Sequence, residues 1–254
     1  MKAFSESAKL KKAAIKTGVV ALWLLLWFLL SKAIGSEFLF PTPVAVVTRL
    51  FELIKTEAFL KSCLFSVLRI CTGCIIGIFT GSLLGFLTYF VKPANEILSP
   101  LLTVIKSTPV ASFIILLLVF FKRDEITVIV SCLLVIPILW ANTKSGLASA
   151  DKKLLEMSRL YHFSTLKKLR FIYLPALKGS FSAGCSTAIG FSWKAGISAE
   201  VIANPVWAIG TAIYKAKIEL EYTDLFAWTL TVIILSLLVE KGLTTLIGRK
   251  NNGN

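Results

Sequence analysis

The chain has 254 residues, 56% of them hydrophobic and only 17% charged. A soluble domain of this size is about half apolar and roughly a quarter charged, so the apolar excess makes this chain integral to a membrane and excludes a disordered tail, a secreted disulfide scaffold and an ordinary cytosolic enzyme. The formal net charge of +14 does not make a nucleic-acid binder, because the basic residues sit between apolar runs and form no stripe along one polar domain.

In chain order, a basic tail over 1–16 carries Lys2, Lys9, Lys11, Lys12 and Lys16 against Glu6. Charge-free apolar runs follow over 17–31, 70–91, 107–121, 126–143, 179–193 and 225–239. A membrane-spanning helix needs ~20 mostly apolar residues at ~1.5 Å each, and flanking residues complete the shorter runs. The sequence therefore predicts an all-α polytopic membrane protein with six transmembrane helices over 17–247, and a short tail over 248–254. The first run is expected to be a retained helix rather than a signal peptide, since it is long for an h-region and 31–35 is a poor cleavage site.

Loop charges set the expected orientation. The segment between the fourth and fifth runs carries Lys144, Lys152, Lys153, Arg159, Lys167, Lys168, Arg170 and Lys178 against Asp151 and Glu156. Before the last run, Lys215 and Lys217 are outnumbered by Glu219, Glu221 and Asp224. The positive-inside rule puts the N-terminal tail, the middle loop and the Arg249-Lys250 end in the cytoplasm, and six spans put both termini on one side.

Two features stand out inside the spans. Gly73, Gly77, Gly81 and Gly85 recur every four residues, a small-residue stripe that lets two helix backbones approach closely. It packs either inside one subunit or between subunits. Cys71 and Cys74 have redox-motif spacing but lie in an apolar helix with no flanking histidine, and all five cysteines sit in or beside apolar runs, so they read as small buried residues.

The middle loop is expected to hold function. Met157, Leu160, Tyr161 and Ser164 follow helical spacing after Glu156, His162 breaks it, and Ser164-Thr165 can cap a second turn through Leu166 and Leu169. Pro175 suits the first turn of the fifth span, where its missing N–H costs nothing. Such a helix–turn–helix is a docking element without catalytic groups. The other reading is a solvated amphipathic loop lying on the lipid surface.

The order Glu156-Met157-Ser158, His162, Ile172-Tyr173-Leu174-Pro175 resembles the EAA loop of binding-protein-dependent ABC importer permeases: Glu-Ala-Ala, three residues, Gly, nine residues, Ile, any, Leu-Pro. Met157 and Ser158 replace the two alanines. His162 replaces the glycine, at a position that resembles a φ > 0 turn where histidine is among the enriched non-glycine residues. Outside the loop, Phe40-Pro41-Thr42-Pro43, Ser66-Val67-Leu68-Arg69, Lys106-Ser107-Thr108-Pro109, Trp193 with Glu200, and Ala208-Ile209-Gly210 are similar to segments of the nitrate/sulfonate/taurine-type permeases.

The resemblance implies a type I ABC importer permease fold in the bacterial inner membrane and a subunit that is not itself an enzyme. It implies a second permease copy, cytoplasmic ATPase subunits that carry ATP and Mg, and an extracytoplasmic solute-binding protein. The EAA loop within 145–175 would couple to the ATPase through Glu156, Met157, Ser158, Leu160, Tyr161, His162, Phe163, Ser164 and Pro175. Lys106, Ser107, Thr108, Pro109, Trp193, Lys194 and Glu200 are the candidates for the translocation pathway of a small anionic or zwitterionic solute. Lys194 either lines that pathway or snorkels to the outer surface.

The chain itself has no Gly-x-x-x-x-Gly-Lys-Ser/Thr loop with which to bind ATP. Its one histidine and the scatter of its cysteines and carboxylates offer no metal site. An ion-driven secondary transporter is the competing class; it calls for ionisable groups at the bilayer midplane and often for internal repeats, and neither is evident.

Overall fold

The computed structural model describes the backbone of residues 2–36 and 38–249, and the side chains of residues 15, 17–36 and 38–242. The expected basic side chains of the N-terminal tail and the last residues, 250–254, lie outside the described residues. In chain order the elements are α1 (Lys2–Ile34), α2 (Pro43–Ile54), α3 (Glu57–Phe90), α4 (Lys92–Ser107), α5 (Val110–Leu117), α6 (Arg123–Ala148), α7 (Lys152–Leu160) and α8 (Thr165–Lys168). A π-helical turn over Leu169–Tyr173 follows, then α9 (Leu174–Ala203), α10 (Ile209–Ile218) and α11 (Tyr222–Arg249). No strand occurs among the described residues.

Among the described residues, four helices are long and apolar enough to cross a membrane: α1 from Thr17, α3, α6 and α11 as far as Gly242. The expected third span is not one straight helix. The run over 107–121 holds only the short helix α5, Val110–Leu117, which is long enough to cross only together with the preceding α4, and the two are bent by 102° at the break. Pro109 causes that break, because its ring disfavours helical backbone in the residue before it, and Thr108 is extended at φ −77°, ψ 133°. The expected fifth span lies in α9, whose 30 residues give ~45 Å. Lys178, Lys194, Glu200 and many small polar residues dilute its apolar character, and it is not one of the four. α1 also starts earlier than expected, since the segment read as a tail over 1–16 continues the same helix from Lys2.

The chain forms two compact units, Met1–Phe59 with Ala212–Thr231, and Leu60–Thr211 with Val232–Asn254. In the first, the Phe40-Pro41-Thr42-Pro43 segment makes the corner between α1 and α2. Trp27 Nε1 donates to the Pro41 carbonyl at 3.2 Å and Ser31 Oγ to that of Phe40 at 2.7 Å. Thr42 Oγ1 accepts from the Ala45 N–H at 3.3 Å and caps α2, with Pro43 in its first turn. Rings of Trp27 and Phe40 pack on Phe226, centroids 5.9 and 5.4 Å away. Arg49 donates to Asp224 at 2.5 and 3.1 Å and to Glu52 at 2.8 Å. The Asp224 hydrogen bond, followed by that of Glu52, holds the Arg49 guanidinium pKa above its ordinary value.

The second unit is built on α6 and α9, packed along one another. One apolar cluster joins Cys74 of α3, Val135 and Leu139 of α6, and Cys185, Ala188 and Ile189 of α9. Another joins Ile114 of α5, Ile126 and Val130 of α6, and Ala195, Ala199 and Ala203 of α9. The glycine stripe of α3 faces α6 of the same chain. A Cβ on Gly73 would lie 2.3 Å from the Val128 carbonyl oxygen, one on Gly81 2.6 Å from that of Ile136, and one on Gly85 2.6 Å from Thr143 Cβ. Gly77 is as tight, 2.7 Å from Val135 Cβ. The stripe is thus what brings the two helix backbones together within one chain.

Candidate functional site

The middle loop is ordered by its own caps. Asp151 Oδ1 accepts from the Lys153 N–H at 2.8 Å and starts α7, so the helix begins four residues before Glu156 and Glu156 lies within it. Tyr161 N–H closes the last turn on the Met157 carbonyl at 3.0 Å. His162 then adopts φ +49°, and the Phe163 N–H returns to the Ser158 carbonyl at 2.9 Å, in the manner of a left-handed helix C-terminus. Ser164 caps α8 through the Lys167 N–H at 3.5 Å.

Ser158 is the buried member of α7, its Oγ donating to the Leu155 carbonyl at 2.7 Å. Ile172 is buried too and Leu155 is half-buried, but most of the loop faces outward. Leu160, Tyr161 and Leu166 are 79%, 72% and 76% exposed, Glu156, Met157, His162 and Ser164 are exposed, and Phe163 is half-buried. Large apolar side chains thus stand exposed on a polar, basic loop. Pro175 sits in the first turn of α9, behind the π-helical turn.

A second constellation lies on α9. Ala183, Thr187, Phe191, Lys194 and Ser198 recur at helical spacing and are exposed, whereas Gly184, Cys185, Ala188, Ser192, Trp193 and Ala195 are buried. Thr187 and Phe191 join Lys106, Pro137, Ile138, Ala141, Asn142 and Leu134 around a cleft of about 410 Å³. Lys106 stands in the last turn of α4, just before the break at Thr108 and Pro109. Ser107 and Thr108 turn their hydroxyls back on the helix, to the Thr103 carbonyl at 2.9 Å and that of Val104 at 2.8 Å. Lys106 and Lys194 are both exposed, and only Lys106 lines the cleft. A larger groove of about 680 Å³ between α3 and α9 is lined by Ile75, Ile78, Phe79, Phe86, Phe181 and other mostly apolar side chains. Its polar lining residues are Ser82 and Lys178.

Glu200 and Trp193, expected on the pathway, do not line the cleft. Each is enclosed by its own chain, at 0% and 2% exposure. Glu200 Oε2 accepts from Ser66 Oγ at 2.7 Å and from the Gly210 N–H at 3.1 Å, and the Ile209 N–H donates to Ser66 Oγ at 2.9 Å. Beside this junction Arg69 donates to Asp124 Oδ1 at 2.8 Å and to the carbonyls of Val206 at 2.9 Å and Trp207 at 3.2 Å. Three segments far apart in sequence thus meet to hold the reversal after α9. Gly210 is obligatory there, since a Cβ would lie 2.4 Å from that of Glu200. Glu200 Oε1 and Trp193 Nε1 are buried and make no hydrogen bond.

Sequence reasoning did not single out Thr187, Phe191 and Asn142, which line the cleft. The available signal was the four-residue spacing of Ala183, Thr187 and Phe191 along an otherwise small-residue helix. No group of three or more His, Cys, Asp or Glu able to hold a metal ion occurs among the described residues.

A family model described as the binding-protein-dependent transport system inner membrane component matches residues 73–247. The chain is 24% identical over 224 residues to the putative aliphatic sulfonates transport permease protein of Bacillus subtilis (strain 168), covering 87% of this chain and 79% of that protein. It is 26% identical over 149 residues to the bicarbonate transport system permease protein of Synechococcus elongatus, covering 58% and 53%. Among solved structures, a chain of the inward-facing MetNI methionine ABC transporter superposes with a TM-score of 0.58 at 16% identity, over 74% of this chain and 95% of that one. That likeness is one of fold.

Proposed function

Since the chain belongs to the family of binding-protein-dependent transport system inner membrane components and is a multi-pass permease subunit of an ABC importer, we propose that it forms the translocation path for a small anionic or zwitterionic solute. A solute-binding protein delivers that solute from outside. Separate ATPase subunits, which carry ATP and Mg, drive the movement through the loop over 156–175. Two permease copies enclose the path, with both termini and the loop in the cytoplasm and six crossings of the membrane: α1, α3, the bent α4–α5 pair, α6, α9 and α11.

One observation carries this reading: Lys106 lines a cleft together with the exposed Thr187 and Phe191 of α9, and Lys194 follows on the same helical face. A cationic side chain within a membrane-spanning helix pairs with another group or faces water, and a path for a small anion needs both water and positive charge. The names of relatives that transport sulfonates and bicarbonate support the charge of the solute. Glu156, Leu160, Tyr161 and Leu166 support docking, as an exposed apolar patch with one carboxylate on a basic loop.

Co-purification tests it. The wild-type permease brings its ATPase subunits through detergent extraction, and Glu156→Lys inserts into the membrane but loses them. Loss of one member of an interfacial charge pair costs several kcal/mol when the pair is buried and under ~1 when it stays exposed. Full ATPase retention together with wild-type uptake in Glu156→Lys defeats the assignment.

A further inference from the structure

Between Ala183 and Ser198, the face of α9 that borders the cleft is polar or small except at one position. Ala183, Thr187, Lys194 and Ser198 share it with Phe191, whose ring is 55% exposed. Elsewhere on α9 the apolar side chains Leu177, Ile189, Trp193 and Ile197 are turned into the protein. Phe191 is also the last α9 residue to line the cleft: Thr187 precedes it by one turn, and Lys194, three positions on, lies outside the lining.

We propose that Phe191 is the barrier residue of the translocation path, its ring closing the cleft of Lys106, Asn142 and Thr187 against the Lys194 end. This rests on the permease reading above. A ring at this point raises the cost of passage in two ways. It fills the cross-section, and it presents an apolar surface that water wets poorly, so a hydrated anion loses solvation where no donor replaces it. Lys106 on one side and Lys194 on the other, ~4.5 Å further along the helix axis from Phe191, supply positive charge to both approaches. The barrier is a single side chain on a helix whose opposite flank is packed on α6. It therefore opens when α9 moves and needs no unfolding.

The test is a leak measurement on the whole complex, permease with its ATPase subunits, in liposomes without ATP. Iodide entry is read as quenching of an entrapped halide-sensitive dye. Phe191→Ala raises the iodide leak several-fold or more over wild type, in the direction expected when a constriction that gates by dewetting is removed. Phe191→Trp stays as tight as wild type. Phe79→Ala, which removes an exposed ring from α3 outside this cleft, also stays tight and controls for lipid-facing rings. Phe191→Leu leaks to an intermediate degree and carries the test should Phe191→Ala fail to assemble by gel filtration. A leak in Phe191→Ala and Phe191→Leu no greater than wild type, or an equal leak in Phe79→Ala, overturns the inference. Failure of the permease reading is separate, since it is read from ATPase retention by Glu156→Lys.

Discussion

Ser66 of α3 and Glu200 of α9 are 134 positions apart in the chain and joined by a hydrogen bond of 2.7 Å, with both side chains fully buried. The same hydroxyl accepts from the Ile209 N–H, so one serine ties the end of α9, the start of α10 and α3 together. Removing one partner of a buried hydrogen bond leaves the other unsatisfied, at about 1–3 kcal/mol per group. Ser66→Ala therefore lowers the thermal midpoint of the purified protein in detergent, whereas Ser66→Thr, which keeps the hydroxyl, lowers it less. Glu200→Gln keeps an acceptor for both donors and is the mildest of the three. Equal midpoints for Ser66→Ala and wild type contradict a structural role for the junction.

The glycine stripe gives a sharper contrast. Gly73→Ala drives a methyl onto the Val128 carbonyl, whereas a Cβ on Gly179 meets nothing within 4 Å. Overpacking of a tight helix contact costs about 1–3 kcal/mol. We expect a lower folded yield and earlier thermal aggregation for Gly73→Ala than for Gly179→Ala. The reverse order contradicts close packing of α3 on α6.

At His162 the backbone, rather than the imidazole, sets the requirement. With φ at +49°, His162→Gly is tolerated, while the β-branched His162→Val pays strain of about 1–3 kcal/mol. Limited trypsin digestion reads this as faster cleavage after Arg159 and Lys167 in the valine variant and unchanged cleavage in the glycine variant. Equal protection of both makes the turn conformation irrelevant to the loop.

Topology is testable with introduced cysteines after the native five are replaced. Ser149 precedes α7 and Glu221 precedes α11, and both are exposed. In intact cells Ser149→Cys resists a membrane-impermeant thiol reagent and Glu221→Cys reacts. The opposite pattern inverts the orientation derived from the basic loops.

Lys194→Met keeps the apolar stem and removes the charge. If Lys194 borders the path, the variant assembles with its ATPase and transports poorly, with a larger loss for a divalent than for a monovalent anion, as expected for a charge interaction. Uptake equal to wild type for both makes Lys194 a surface anchor.

Much of this was legible in the sequence because the signals were local. Hydropathy located the apolar segments, four-residue spacing marked the Gly73–Gly85 stripe, and the interval from Glu156 to Pro175 marked the loop. Local signals also failed in identifiable ways. Asp151 was read as part of a charged loop although it is a good N-cap, so α7 starts earlier than expected. Thr108-Pro109 was noticed, yet the run over 107–121 was read as one helix although Pro109 confines its helical part to α5. The burial of Glu200 was illegible for a different reason. A carboxylate near the end of a span looks like a pathway group until Ser66 and Gly210 are found beside it, and partners that distant in sequence leave no periodicity to detect.

The backbone is helical without interruption from Thr165 to Ala203, through α8, the π-helical turn and α9. The loop and the cleft-lining residues are therefore parts of one rod rather than two elements joined by a hinge. If the ATPase pulls on the loop as proposed, a sideways displacement at Leu166 would reach Thr187 and Phe191 as a tilt of that rod, a lever with the buried flank of α9 against α6 as its fulcrum. The five π-helical residues, Leu169–Tyr173, insert an additional residue into the winding, so they fix the azimuth between the handle of that lever and its working face. Deleting one residue there would leave both ends intact in sequence and turn one relative to the other by ~100°.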